Sequence, residues 1–530
     1  MSFLVKELIV EDSSERKKLN TKTNFFITVT LLVSCVFLFG STANAHGFGE
    51  RYDLPIPLSY FLIGAALAVA FSFAAIGWFV RSSDSNPKYP RINVYRYSAL
   101  TFFCKASARF LGLISVFILF ISIHSGLTGT SNAVENFAPI FVWIIWWVGA
   151  GYVVCIVGNI WLLMNPWMVI FNYWEQIFGK HIGLVDWPKK LDAWPALFFF
   201  LLFAWIENVH PASSQPYSLG ILILIYSLLT WGGMILFGKH VWLTHGDPFY
   251  VLFNLFARFS ATELRINGTK GWCMQCSSGC KENLNLPDCV DCYECWSNTD
   301  SKNKEFCLRP WSVGLSRGER VSPAIMLFHV TALATVSFDG FAETPAWIEI
   351  QTILWPVIDP LPGSAAPTIE TIGIIFVPLI FATVYLYVCG LIAQMSHGQM
   401  VSADIRMRFV FSLVPIALAY NLSHYYLSFL LITGQEIIPL LSDPYGVGWN
   451  LFGTSDFKTN IAIIDARFAW VFSVIALVTG HIISVFTAHT IALRRTTSHS
   501  IAVRSQYPML FLMVFYTAVS LWIVAQPIVK

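Results

Sequence analysis

Charge is what this 530-residue chain has least of: 12% of its residues are Asp, Glu, Lys or Arg, against about 25% in a soluble domain. That shortage excludes an ordinary water-soluble globule. The 33 Lys and Arg are nearly balanced by 31 Asp and Glu, so no basic excess exists to hold nucleic acid. In place of charge stand 56% hydrophobic and 16% aromatic residues, with a mean hydropathy of +0.61. The apolar residues recur in runs of about twenty along the whole length, so most of the chain has lipid for its solvent.

Hydrocarbon offers no water to backbone N–H and C=O groups, and each run must satisfy its own by coiling. The expected fold is therefore all-α, a polytopic transmembrane helical bundle of about ten spans with a small cytoplasmic cysteine-rich loop. The spans fall at 57–80, 109–128, 139–163, 194–209, 217–238, 322–340, 368–391, 409–432, 468–490 and 508–526. Taken alternately, the loops place 29 of the 33 Lys and Arg on one side. By the positive-inside rule that side is cytoplasmic. A multi-pass protein of the bacterial plasma (inner) membrane follows, with its mature N-terminus outside.

Ahead of the first span, Lys17, Lys18 and Lys22 precede an apolar run from Phe25 to Gly40 and the small-residue triplet Ala43, Asn44, Ala45. This is a signal-peptide pattern over 1–45, with His46 as the first mature residue. Its free α-amine and imidazole would then lie side by side, as an N-terminal copper chelate requires.

The mature chain divides into a first membrane bundle, 46–270, a cysteine-rich loop, 271–310, and a second bundle, 311–530. The first contains a parallel internal repeat: "NPWMVIFNYWEQ" from Asn165 returns as "DPFYVLFNLFAR" from Asp247, 82 residues on. Each copy reads as a capped amphipathic helix with proline at its first position, lying in the inner interface.

Seven of the eleven cysteines lie between 271 and 310. Cys273, Cys276, Cys289 and Cys292 form two C-x-x-C pairs, the spacing that delivers two thiolates to one ion from a tight turn. Cys280, Cys295 and Cys307 stand as alternates. Zinc is the expected metal and an iron–sulfur cluster the alternative. The x3-C-P that would complete a ferredoxin pattern is lacking. A cytoplasmic loop is a reducing setting, which argues against disulfides.

Ionisable side chains inside spans are costly and mark function. By depth, His124, Glu207, His210, Asp339 and His424 form an outer layer that His46 can join. His46, Glu207, His210, Asp339 and His424 together make a candidate site for zinc or copper. His124 matches His424 in depth and His329 matches His481, so two b-type haems offer an alternative use of the same histidines.

The phrases "AHGFGERYDLPIPL", "ENVHPASSQPYSLG", "SFDGF", "LSHYYLSFLL" and "RSQYPMLFLMVFYTAVSLWIVAQPIV" resemble a family of polytopic bacterial membrane proteins commonly labelled fenitrothion hydrolase. The resemblance runs from 43 to 530 except for the cysteine loop. It implies metal-dependent hydrolysis of an organophosphate ester, an apolar small molecule that would enter from lipid. The residues alone leave two other functions open: copper or other metal handling and transport, and haem-based electron transfer.

Overall fold

The computed structural model describes residues 52–82, 89–267, 288–360 and 363–528, together with Cys273, Cys276 and Cys280. The expected leader, its cleavage point and His46 lie outside the described residues. Among those described, nine helices are long and apolar enough to cross a membrane. They include α1 Leu58–Phe79, α2 Ser98–Thr128, α3 Phe137–Ile156, α6 Pro216–Phe237, α8 Pro323–Ala342, α10 Ala365–Met395, α12 Ala466–Leu493 and α13 Tyr507–Ile528. The ninth, here α11, begins at Ser402 and continues through π-helical turns to Leu430. The chain is thus an all-α multi-pass membrane protein.

The tenth expected span is α5, Trp194–Asn208, of only 15 residues. At 1.5 Å per residue it reaches about 22 Å, short of the roughly 30 Å of hydrocarbon. One further helix, α9 (Pro345–Ile358), fills a connection that the spans had left as loop.

The connections sort into two ends, as an up-and-down bundle demands. At one, the Thr130 amide donates to the Tyr445 carbonyl at 2.8 Å, and the Trp143 indole donates to the Ser213 carbonyl at 3.0 Å. At the other, His489 bonds the Val80 carbonyl and the Val321 amide donates to the Met407 carbonyl. Helix α1 packs against α12 and α13, so the first span is seated with the second bundle. Helices α2 and α6 approach closely where a Cβ on Gly126 would lie 2.8 Å from the Pro216 carbonyl oxygen. Only glycine permits that crossing.

Both repeat copies are capped as their sequences require. The Asn165 side chain accepts from the Met168 amide at the start of α4 (Pro166–Phe178), and that of Asp247 accepts from Phe249 and Tyr250 at the start of α7 (Pro248–Phe256). Their surroundings differ. Helix α4 has one apolar face buried and leaves Tyr173, Trp174, Ile177 and Phe178 outside, as an interfacial helix should. Helix α7 buries seven of its nine residues, so it is a core element of the bundle. Its apolar residues go all round, a pattern that belongs to a buried helix.

The cysteine-rich segment is more than a loop. Strands β1 (Ile92–Asn93), β2 (Thr262–Ile266), β3 (Cys289–Val290) and β4 (Lys304–Leu308) form an antiparallel sheet in the order β1-β4-β2-β3. The unit thus borrows two strands, β1 and β2, from the chain ahead of the expected 271–310 loop. Arg309, fully enclosed, fastens it to the bundle. Its guanidinium donates to Glu263 at 3.1 Å, to Asp291 at 3.0 Å and to the carbonyls of Ser260 and Ala257. Glu263 also accepts from the Tyr89 hydroxyl at 2.5 Å; burial, and then the Glu263 charge, push that phenol up to about 12. Around this point Arg258 and Arg317 share Glu319, while Arg408 and Arg494 donate to the carbonyls of Gly318 and Ser316. Burial would raise the Glu319 carboxyl, but the two guanidiniums hold it below the usual range. Its stabilising contribution is therefore present above the ordinary Glu range near 4.3 and fades as pH falls.

Two measurements test this arrangement. Ser301→Cys, on the exposed edge of the cysteine unit, should react with a membrane-impermeant thiol reagent only after lysis, whereas Ser455→Cys should react in intact cells; the reverse would invert the orientation. Arg309→Met strands two enclosed carboxylates and should loosen the unit by about 3–5 kcal/mol. This loosening is read as faster amide exchange across Thr262–Ile266 and Lys304–Leu308. Unchanged exchange would show that the seam does not hold the sheet.

Candidate functional site

Two of the spans leave regular α-helical winding, and both do so at the same place. Ile140–Ala150 in α3 and Leu422–Leu430 in α11 are π-helical and pack on each other. Such turns recur at functional sites because the wider winding re-aims side chains. Beside them is a cavity of about 50 Å³ whose polar lining includes Glu207, Asn208, Tyr152, Asn421 and Tyr425. At about 10–15 Å³ per water it has room for a few waters. Helices of both halves wall it, from Trp147 and Phe200 on one side to Thr335 and Leu418 on the other.

Two hydrogen-bonded groups stand around the cavity, one on Asp339 and one on Asn421. Glu207 lines the cavity together with Trp147 and lies within electrostatic reach of Asp339. The Tyr425 hydroxyl donates to Asp339 Oδ2, and His424 Nε2 meets the same oxygen at 3.1 Å. The Tyr152 hydroxyl donates to Asn421 Oδ1 at 2.6 Å and so orients that amide. Adjacent residues of a regular helix point apart. His424 and Tyr425 nevertheless reach one carboxylate, and they stand in the π-helical stretch.

Of the described outer candidates, the structure thus gathers Glu207, Asp339 and His424 and sets His210 and His124 apart. His210 stacks on Trp205 with ring centres 5.8 Å apart. His124 bonds the Tyr445 hydroxyl at 2.9 Å and stacks on Phe120. Asp339 and His424 serve each other, and no group of three ligand atoms that includes them is brought within 4.8 Å among the described residues. The arrangement is one of acid–base partners more than a cage for an ion. His329 and His481 each donate Nδ1–H to the carbonyl four residues back, at 2.6 and 2.8 Å. Each keeps a buried Nε2 with no hydrogen-bond partner, the tautomer that a metal takes. Phe411 packs on the first ring and Tyr516 on the second.

The cysteines come together. Among the described residues two four-thiol groups have all their sulfurs within 4.8 Å of one another: Cys273, Cys280, Cys289 and Cys295, and Cys276, Cys280, Cys292 and Cys295. The cluster can hold a metal ion. Cys280 and Cys295, expected as alternates to Cys273, Cys276, Cys289 and Cys292, belong to both groups. Cys307 does not take part. It sits in β4, opposite Asn93 and Glu263, and burial pushes its thiol up to about 11. Spacing alone made it a candidate, and the strand register removes it.

Comparison with family models, with curated proteins and with solved structures finds no match. The functional reading therefore rests on geometry. Sequence reasoning missed Trp147, Tyr152, Asn421 and Tyr425. A signal for Tyr425 was its place beside His424; Trp147 lay among many aromatic residues and carried none.

Proposed function

We propose that the protein hydrolyses an apolar ester at the Glu207 cavity, with cavity water as the nucleophile. The observation that carries this reading is a cavity with room for a few waters, lined by the Glu207 carboxylate and backed by a Tyr425–Asp339–His424 set. Intramembrane carboxylates and histidines are retained where they do chemistry or move protons. Glu207 is placed to take the proton of a cavity water. The water oxygen attacks the ester's central atom and the bond to the leaving oxygen breaks. The leaving oxygen takes up the proton that Glu207 removed, relayed by His424, which Asp339 holds, so that the phenol departs neutral and Glu207 is restored. Three of the phrases that resemble the fenitrothion hydrolase family contain these residues: "ENVHP" contains Glu207, "SFDGF" Asp339 and "LSHYY" His424 and Tyr425. An aryl phosphotriester delivered by the bilayer is accordingly the substrate class we favour.

The same chain of groups supports a second reading, a proton path coupled to transport. Glu207, Asp339, His424 and Glu343 run as mutually interacting titratable groups. Release of phenol from an aryl phosphotriester by protein in liposomes separates the two. Glu207→Gln and His424→Gln should each lower turnover by about 10²–10⁴-fold, the usual worth of a general acid or base. Turnover that survives both substitutions, or none in the wild type, would overturn the hydrolytic reading.

For the cysteine unit we propose zinc. Four clustered thiolates, most of them buried, make the ligand set of a structural zinc site. Metal binding then stabilises the small sheet. A zinc chelator should raise amide exchange in Lys304–Leu308 while sparing α12. Exchange that does not change would show that metal has no part in the fold of the unit.

A further inference from the structure

The two four-thiol groups need not be alternatives. They share Cys280 and Cys295 and differ in the other two members, Cys273 with Cys289 and Cys276 with Cys292. Six sulfurs divided in this way describe two tetrahedra with a common edge. We propose that the unit is a binuclear thiolate centre, in which Cys280 and Cys295 bridge two zinc ions. Cys273 and Cys289 complete one coordination shell, and Cys276 and Cys292 the other. The inference rests on the reading of the unit as a metal site and adds its nuclearity.

Three observations support it. The first is distance: the Cys276–Cys292, Cys280–Cys289 and Cys273–Cys295 sulfur pairs are 3.7, 3.7 and 3.8 Å apart. A tetrahedron with zinc–sulfur bonds of about 2.3 Å has edges of about 3.8 Å. Each close pair belongs to one of the two tetrahedra, so both have an edge already set.

The second is the order of the residues. The segment contains two triads, C-x2-C-x3-C from Cys273 and C-x2-C-x2-C from Cys289. The first cysteine of each triad belongs to one metal, the second to the other, and the third is shared. A mononuclear site would use four of these sulfurs and give the matching of the triads no role.

The third is charge. Four of the six side chains are buried, Cys273, Cys276, Cys292 and Cys295. Six thiolates around one divalent ion would leave four negative charges there, whereas two ions leave two. Enclosing uncompensated charge is costly, so the second ion favours the deprotonated cluster. An iron–sulfur cluster fits less well. In a two-iron cluster inorganic sulfides bridge the metals, and here that shared edge is occupied by Cys280 and Cys295.

The test uses full-length protein purified in detergent with zinc present. Metal analysis should give two zinc ions per chain, unchanged in Cys307→Ser and falling toward one in Cys276→Ser, which removes a ligand from one shell only. Replacement by spin-active cadmium should give two resonances in the thiolate region, split by metal–metal coupling through the bridging sulfurs. This second measurement needs no variant. One ion per chain, or two resonances without coupling, would overturn the binuclear centre and leave a simple zinc site standing. Iron with acid-labile sulfide would overturn the thiolate bridges. A protein that binds no metal would overturn this inference and the zinc reading together.

Discussion

The Arg309 guanidinium lies between Glu263 and Asp291 with no exposure to water, and four of its donor contacts are made inside the protein. An arginine cannot shed its charge, so such a site forms only if both carboxylates and the carbonyls of Ala257 and Ser260 arrive together. Those carbonyls follow α7, Glu263 is in β2 and Asp291 precedes the helix bearing Cys295. One side chain thereby fixes the bundle, the sheet and the second cysteine triad relative to one another. The position of the second cysteine triad follows from this placement, because the β2–β3 register sets Cys289 opposite Ile266.

The intramembrane cavity answers to a different constraint. Lipid tolerates no unpaired polar backbone and few charged side chains, so carboxylates there must find partners within the bundle. Tyr425 and His424 supply them for Asp339, from a π-helical stretch that lies against the one in α3. The result is a polar pocket that water can occupy, enclosed by apolar helices of both halves. The cavity and the thiolate unit are separate centres: their polar groups belong to different networks, and the proposed ester chemistry uses no group of the cysteine unit.

Much of the fold was legible because lipid makes strict demands on sequence. Nine spans follow from apolar runs, and the loops meet at two ends as the alternation of Lys and Arg requires. The caps at Asn165 and Asp247 were legible for a local reason, since a side-chain oxygen followed by proline suits a helix start. The burial of α7 was not, because aromatic richness reads the same in the core and at an interface. The sheet of the cysteine unit escaped notice since two of its strands have two residues each and β1 lies far away in sequence. Depth along a span brought Glu207, Asp339 and His424 into one layer but could not tell which way each faces. His210 lies past the end of α5, His124 turns to Tyr445 and Phe120, and π winding, which no periodicity predicted, brings Tyr425 in.

Hydrolysis in isotopically labelled water tests the central claim most directly. If a cavity water activated by Glu207 attacks the phosphorus of an aryl phosphotriester, heavy oxygen from the solvent must appear in the phosphorus-containing product and not in the released phenol. Label in the phenol, or a product free of label, would contradict it.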